Sequence, residues 1–149
     1  MAKISSTIQL SDEEVDQLMS HTGRCRIATI GPGEDINLTP MTFGWADGKA
    51  YIFARGQKIA NLRRKDTATL LVDIGDAWRE LKGVMMHGKA TVLEDAAAER
   101  EDDGLAAARQ NIADKHNLDK PHGATASGNS RRWIVFTPTR IITWDNSKL

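Results

Sequence analysis

The sequence predicts a mainly β fold, an antiparallel barrel that is closed or nearly closed, with flanking helices. Seven short segments are rich in β-branched and apolar residues, and turn residues join most of them as hairpins. A chain of 149 residues with this pattern is long enough for one sizeable core, and no repeat or linker divides it, so we expect a single domain over 1–149. The predicted strands cover 24–30, 36–45, 49–55, 67–74, 81–93, 133–136 and 140–144.

Glycine and proline set the boundaries of these strands. Residues 31–35, Gly-Pro-Gly-Glu-Asp, form a turn cluster, and 46–48, Ala-Asp-Gly, form a hairpin turn. Gly88 lies inside the fifth strand and predicts a bend or bulge there. Residues 137–139, Thr-Pro-Thr, separate the last two predicted strands.

Three segments are predicted to be helical. Ser11 and Glu14 form a capping box before a short helix. Residues 58–65 form one or two helical turns, and 95–116 form a longer helix that Gly104 weakens by about 1 kcal/mol relative to alanine. The polar residues 117–130 that follow predict a flexible loop.

Composition argues against several classes of protein. The 20 basic and 20 acidic residues cancel, which disfavours nucleic acid or an anionic membrane as a partner. No apolar run approaches the length of a membrane-spanning helix, and the first residues do not resemble a signal peptide, so we expect a cytoplasmic protein. The single cysteine, Cys25, excludes an internal disulfide, and the four histidines lack metal-ligand spacing, so no metal site is predicted.

The sequence contains no self-contained catalytic motif. It lacks a Gly-x-Ser-x-Gly elbow, a phosphate-binding glycine-rich loop and a His-Glu-x-x-His motif. Cys25 is flanked by two arginines, but on a strand these point away from it, which favours a buried, inert thiol over a nucleophile. His87, inside a strand, is more typical of a structural histidine than of a catalytic one. No protein residue is therefore predicted to be catalytic, and any reaction requires a bound cofactor.

Residues 55–65 carry the main candidate site. Gly56 permits a sharp turn after the third strand, and a helix beginning near Lys58 offers unpaired N–H groups and a partial positive charge. Lys58 adds a full charge, and Asn61 lies one turn later on the same face. These features predict a phosphate site. Residues 63–65, Arg-Arg-Lys, either contribute to it or form a solvated face at the end of the helix.

A second candidate is the segment 38–42, Leu-Thr-Pro-Met-Thr. Proline cannot donate to a sheet ladder, so Pro40 indicates either an interrupted ladder or a simple edge strand. An interruption would free backbone groups for a heterocycle with alternating donors and acceptors.

In the order in which they occur, several segments resemble the pyridoxamine 5'-phosphate oxidase-like split barrels. These segments are 25–31, Thr39-Pro40-Met41, 48–53, 58–64, and 84–92 with its Gly-Lys-Ala core. The ending Ser147-Lys148-Leu149 after Trp144-Asp145 is similar to that of actinobacterial members that use the deazaflavin coenzyme F420. The resemblance covers about 10–93 and 131–149.

The resemblance implies a homodimer of six-stranded split barrels with two cofactors in grooves between the subunits. The residues that it assigns to the cofactor phosphate are Arg55, Gln57, Lys58 and Asn61. Those that it places against the ring are Thr39, Pro40, Met41 and Phe53, and Trp78 matches an aromatic that lines the pocket in some deazaflavin-binding relatives.

The sequence also departs from the authentic oxidases of that family. These carry an arginine on the second strand, an Arg-Lys pair after the third and an arginine-bearing C-terminal motif, whereas this chain has Thr39 or Met41, then Gln57, and ends at Leu149. Each missing arginine removes a charge-assisted bond to phosphate, so true pyridoxamine 5'-phosphate oxidase activity is not expected.

Two functions remain open, beside a third possibility, a cofactor-free barrel in which the site has decayed. The first is an oxidoreductase that transfers a hydride between coenzyme F420, or alternatively FMN, and a small organic substrate. The second is a non-catalytic FMN- or F420-binding carrier. The C-terminal similarity and the basic residues 63–65, which suit an acidic tail, favour F420 over FMN.

Overall fold

The fold is a strongly curled antiparallel sheet with helices on its outside. The computed structural model of the chain describes residues 6–126 and 128–149. The strands are β1 (Arg24–Ile30), β2 (Ile36–Thr42), β3 (Gly44–Ala46), β4 (Lys49–Ala54), β5 (Thr67–Ile74), β6 (Lys82–Leu93) and β7 (Arg132–Asp145). The α-helices are α1 (Asp12–His21), α2 (Gln57–Arg64), α3 (Ala96–Glu101) and α4 (Leu105–His116).

The strand order explains where the barrel is split. Hydrogen-bonded neighbours follow one another as β2-β1-β5-β6-β7-β4-β3, so β2 and β3 are the edge strands. The curl of the sheet brings β2 close to β4, although these two strands do not pair in the ladder. A split therefore lies between β2 and β4, next to the start of α2.

The sheet has seven strands, whereas the resemblance implied six, and the strand bounds differ at two places. The predicted strand 36–45 divides at the fully buried Phe43, because β2 pairs with β1 while β3 pairs with β4. The two last predicted strands are one continuous strand, β7. A bulge beside Gly88 leaves Thr139 as the extra residue, so Pro138 fits without ending the strand. The predicted bend at Gly88 is confirmed.

The long predicted helix over 95–116 is wrong at its centre, where α3 ends and α4 begins. The Tyr51 hydroxyl donates to Asp102 Oδ2 at 2.7 Å, and the Gly104 N–H donates to the same oxygen at 3.1 Å. A Cβ on Gly104 would lie 2.4 Å from the Tyr51 hydroxyl oxygen. The tyrosine thus occupies the space that a continuous helix with a side chain at position 104 would need.

Two hydrophobic clusters lie on opposite faces of the sheet. The larger fills the barrel and includes Cys25, whose side chain is buried and whose pKa burial raises to about 12, as predicted for an inert thiol. The smaller lies between the outer face of the sheet and the helices α3 and α4. It consists of Tyr51, Leu93, Leu105, Ala108, Ile112, Trp133 and Val135.

Two further predictions concern the start of α1 and the segment that follows α4. The capping box of α1 is confirmed, since Ser11 Oγ accepts from the Glu14 N–H and Glu14 Oε1 accepts from the Ser11 N–H. Residues 117–130 were predicted to be a flexible loop, and the described residues 117–126 and 128–130 form neither helix nor strand. Residue 127 and residues 1–5 lie outside the described part. Arg109 donates to the carbonyls of His122 and Gly123 at 2.7 and 2.9 Å and holds this segment against α4.

Within the described residues, none of the helices combines the length and apolar character needed to cross a bilayer.

Candidate cofactor site

The start of α2 has the geometry of an anion site. Gly56 adopts φ +85° and ψ −147°, a conformation that glycine tolerates, and turns the chain from β4 into the helix. No side chain caps this end of α2, and the N–H groups of Gln57 and Lys58 lie in its first turn, where no helical acceptor precedes them. The first turn of α2, just after the end of β4 at Ala54, therefore offers unpaired N–H donors and the positive end of the helix dipole to an anion.

Basic side chains surround this helix start without acidic partners. Within residues 6–126 and 128–149, neither Arg55 nor Lys58 forms a hydrogen bond or an ion pair. Arg131 also lacks a carboxylate partner there, and its Cζ lies 5.9 Å from the centroid of the Phe53 ring. Arg131 was missed in the sequence because only the pairing of β4 with β7 brings it to this place.

Asn61 lies behind the helix start, not at its surface. Its side chain is 0% exposed. Its Nδ2 donates to Thr29 Oγ1 at 3.1 Å, and its Oδ1 accepts from Gln57 Nε2 at 2.8 Å. Asn61 therefore joins α2 to β1 and orients the exposed Gln57, so the structure does not bring its amide alongside Lys58 as an open donor.

The basic end of α2 is largely occupied. Arg63 forms a two-pronged pair with Glu94, at 2.8 and 2.6 Å, and this pair lowers the pKa of Glu94. Arg64 donates to the carbonyl of Ile30. Lys65 is exposed. Most of this group holds α2 against the sheet, which favours the structural alternative for Arg63 and Arg64.

The segment predicted to face the cofactor ring lies on β2 with its residues on two faces. The pairing Ile27↔Thr39 and Arg26↔Pro40 continues through the segment, and β2 is an edge strand. Of the two alternatives for Pro40, an interrupted ladder or a simple edge strand, the structure therefore supports the edge strand. Thr39 and Met41 share the inward face, and Met41 packs against the barrel core.

Thr39 has an unusual environment. Its Oγ1 is buried and lacks a hydrogen-bond partner anywhere in the described part of the chain. Buried hydroxyls are normally paired, because stranding one costs about 1–3 kcal/mol. An unsatisfied hydroxyl on the strand that borders the split is consistent with a polar ligand group in this region.

Phe53 lies on the outer face of β4 and is largely enclosed by aromatic residues. Its ring centroid is 4.9 Å from that of Trp133, and the His122 ring meets it edge-on at 6.4 Å. A Cβ on Gly123 would lie 3.2 Å from Phe53. Burial is the main cause that lowers the pKa of His122, and the neighbouring His116, Arg131 and Arg109 lower it further.

Trp78 lies at the opposite end of the sheet from Lys58. α2 precedes the first residue of β5, and Trp78 follows the last one. Eight residues of β5 span about 23 Å at about 3.3 Å per residue. Trp78 is 62% exposed. One chain alone therefore does not bring Trp78 together with the other predicted site residues.

The family model described as Pyridoxamine 5'-phosphate oxidase matches residues 11–145, nearly the whole chain. The chain belongs to this family. A search of curated proteins gives no match. The family resemblance found in the sequence is thereby confirmed. The fold prediction is confirmed as a mainly β, curled antiparallel sheet with flanking helices, although the sheet has seven strands and not six.

Solved structures share the fold of this family member at low sequence identity. A conserved hypothetical protein of Mycobacterium tuberculosis superposes with a TM-score of 0.80 at 24% identity, over 99% of this chain and 92% of the other. A FAD-binding protein of Mesorhizobium loti gives 0.66 at 19% identity, over 91% and 94% of the two chains. A protein named F420 reductase gives 0.62 at 18% identity, over 85% and 94%.

The C-terminal motif of this family member has a structural role. Asp145 Oδ1 accepts from the N–H and the hydroxyl of Ser147, which fixes the final turn. Lys148 Nζ donates to Glu14 Oε1 at 2.7 Å and to the carbonyl of Gln9 at 3.0 Å. The motif thus fastens residues 145–148 to the segment at the start of α1, a set of contacts that we call the C-terminal clasp.

Proposed function

We propose that the chain is a flavin- or deazaflavin-dependent oxidoreductase that binds coenzyme F420, with FMN as the alternative cofactor. The observation that carries the proposal is the start of α2, where open amide groups lie beside Arg55 and Lys58, which have no acidic partner in the described part of the chain. A dianionic or monoanionic phosphate satisfies all of these groups at once.

Different residues would contact different parts of the cofactor. Lys58, Arg55 and the first amides of α2 would hold the phosphate. Gln57, oriented by Asn61, would add a neutral donor. Thr39 would offer its unsatisfied hydroxyl to the polar edge of the ring across the split.

When bound, such a cofactor supplies the hydride chemistry that the side chains lack. The chain would contribute orientation and exclusion of water. His122 packs edge-on against Phe53, and its lowered pKa favours the uncharged ring.

We further propose a homodimer, because one outer face of the sheet carries exposed apolar residues. Ile36 is 74% exposed and Leu38 is 63% exposed, and their register partners Ile30 and Ala28 extend the same face. Exposed apolar patches of this kind mark interaction surfaces. In one chain Trp78 lies far from Lys58. In a dimer packed on this face, Trp78 of the partner subunit would instead complete the cofactor groove.

The second candidate is a carrier that binds the cofactor without reaction. It is favoured by the enclosure of Phe53 by Trp133, His122 and Gly123, which leaves little open aromatic surface for a second ligand. Turnover of bound, reduced cofactor with small carbonyl, nitro or enone compounds separates the two functions, because a carrier leaves the reduced cofactor unchanged.

The binding proposal is tested by titrating FMN and F420 into the purified protein and following cofactor fluorescence. Lys58→Gln is expected to weaken binding about tenfold or more, because a hydrogen bond to a charged group contributes about 1.5–3 kcal/mol. Lys65→Gln, which removes an exposed charge from the other end of α2, serves as the matched control and is expected to bind like the wild type. Equal affinities of the wild type and Lys58→Gln would overturn the phosphate assignment.

A further inference from the structure

A second group of positive charge lies beside the proposed phosphate position. The pairing of Ala54 with Arg132 ends the ladder between β4 and β7. Arg55 directly follows Ala54 and Arg131 directly precedes Arg132, so both arginines lie at this end of the ladder. Alternation along β4 also puts Arg55 on the same outer face as Phe53, over which the guanidinium of Arg131 lies.

Two positive charges at the same end of a ladder repel one another unless an anion lies between them. The nearby carboxylate of Glu94 is already paired with Arg63. Arg132, the neighbour of Arg131, donates to the carbonyls of Glu94 and Asn129 and so is also occupied. Arg55 and Arg131 are therefore left without a carboxylate partner within residues 6–126 and 128–149.

The direction of this pair relative to the split is informative. β2 borders one side of β4 across the split, whereas Arg131 extends from β7 on the other side. A ligand that enters along Thr39 and places a phosphate at Lys58 would reach Arg131 only with a further group beyond that phosphate. The positions of Arg55 and Arg131 thus fit an extended anionic ligand better than one that ends at its first phosphate.

We propose that Arg131 binds a second anionic group of the cofactor beyond the phosphate held at Lys58 and Arg55. This inference rests on the proposed function and deepens it. The group is either the additional phosphate of a dinucleotide or the carboxylates of an acidic tail, which share anionic oxygens suited to paired guanidinium donors. The sequence had suggested residues 63–65 for this role. Arg63 is held by Glu94 and Arg64 by the carbonyl of Ile30, whereas Lys65 is exposed.

The test compares three probes that differ in their anionic groups. FMN ends at one phosphate, FAD carries a diphosphate, and F420 carries glutamates beyond its phosphate. Dissociation constants are measured by fluorescence titration for the wild type, Arg131→Gln, Arg131→Lys and Arg100→Gln. Arg100 is an exposed arginine of α3 and controls for the loss of one positive charge.

The expected result is a change in selectivity. Wild type binds F420 or FAD more tightly than FMN, and Arg131→Gln reduces that ratio about tenfold, the effect of one charge-assisted bond, while FMN affinity stays within about twofold. Arg131→Lys retains part of the ratio, and Arg100→Gln retains all of it. Whichever of F420 and FAD loses its advantage identifies the second group as carboxylate or phosphate.

Two results overturn the inference. In one, the ratio is the same in wild type and Arg131→Gln. In the other, FMN weakens as much as the longer probes, which would place Arg131 at the first phosphate or in the fold. Urea unfolding of each variant identifies the latter case. Failure of the proposed function looks different, since wild type then binds none of the three probes, whereas Lys58-dependent binding of FMN with an unchanged ratio overturns this inference alone.

Discussion

Replacing Asn61 by alanine tests whether this residue contacts the cofactor or positions the residues that do. In the structure its amide is fully buried and connects Thr29 on β1 with Gln57 at the start of α2. If this is its role, the substitution lowers the stability of the fold first and affects cofactor binding only through the loosened Gln57.

The magnitude follows from the groups left behind. Thr29 is buried, and its hydroxyl would lose the 3.1 Å bond from Asn61, which costs about 1–3 kcal/mol for a stranded polar group. The lost bond to the exposed Gln57 adds about 1 kcal/mol. Asn61→Ala is thus expected to lower the free energy of unfolding by about 2–4 kcal/mol, a large part of the 5–15 kcal/mol typical of a domain.

Urea unfolding, followed by tryptophan fluorescence and by circular dichroism, measures this change. With a slope of about 1–3 kcal/mol per molar urea, the midpoint is expected to fall by about 1 M or more. Thr29→Val is the matched variant, and the double variant should lose less than the sum of the single losses, because the valine leaves no hydroxyl to strand. FMN and F420 affinities of each variant are measured under conditions where it is folded.

The reasoning is refuted if Asn61→Ala unfolds at the wild-type urea concentration and yet loses cofactor affinity to the extent that Lys58→Gln does. That outcome would mean that the Asn61 amide reaches the ligand directly, as the sequence alone had suggested. It would also require the contact with Thr29 to be dispensable.

The other predictions concern packing, pH and assembly. Gly44→Ala is expected to destabilise the fold by about 1–3 kcal/mol in urea, because its Cβ would lie 2.3 Å from the Ala108 carbonyl oxygen; unchanged stability would contradict the close approach of α4 to β3. The bond from Lys148 holds the pKa of Glu14 at about 2, below its ordinary value of 4.5, so its stabilisation is present above pH 4.5 and lost as the pH falls towards 2. Acid unfolding of Glu14→Gln should lack this loss, and identical pH profiles would count against the C-terminal clasp. Leu38→Asp is expected to convert a dimer into a folded monomer in sedimentation velocity, and a monomeric wild type at micromolar concentration would remove the basis for the shared groove.

Local sequence patterns were sufficient for much of the sheet. The bounds of β1 and β5 match the predicted strands because each carries alternating or β-branched residues between clear turns. Gly88 indicated the bulge because glycine inside a strand often accompanies one. The division of 36–45 was not predictable, since it depends on which neighbour each half pairs with.

The break between α3 and α4 likewise depends on a distant residue. Tyr51 lies far from Asp102 in sequence, and its hydroxyl bond to that residue leaves no local trace beyond a glycine at 104. Sequence reasoning can detect a weak point in a helix, but not the side chain that fills it.

The candidate site shows the same division. Gly56 and Lys58 were found because strand, turn and helix follow one another along the chain. The burial of Asn61 depends on Thr29 across the sheet, and the position of Arg131 depends on the pairing of β4 with β7. Contacts between residues that are distant in sequence and meet only in the folded sheet could therefore not be predicted.

The two hydrophobic clusters share strands, so the unfolding of one affects the other. β7 contributes Ile134 and Phe136 to the barrel and Trp133 and Val135 to the layer under α3 and α4. Adjacent peptide groups of one strand are thus protected from opposite sides. The helical layer cannot melt without exposing one face of the strand that closes the barrel, so amide exchange along β7 would report both clusters through a single opening event. A ligand that stabilises either side would then slow exchange on the other without touching it.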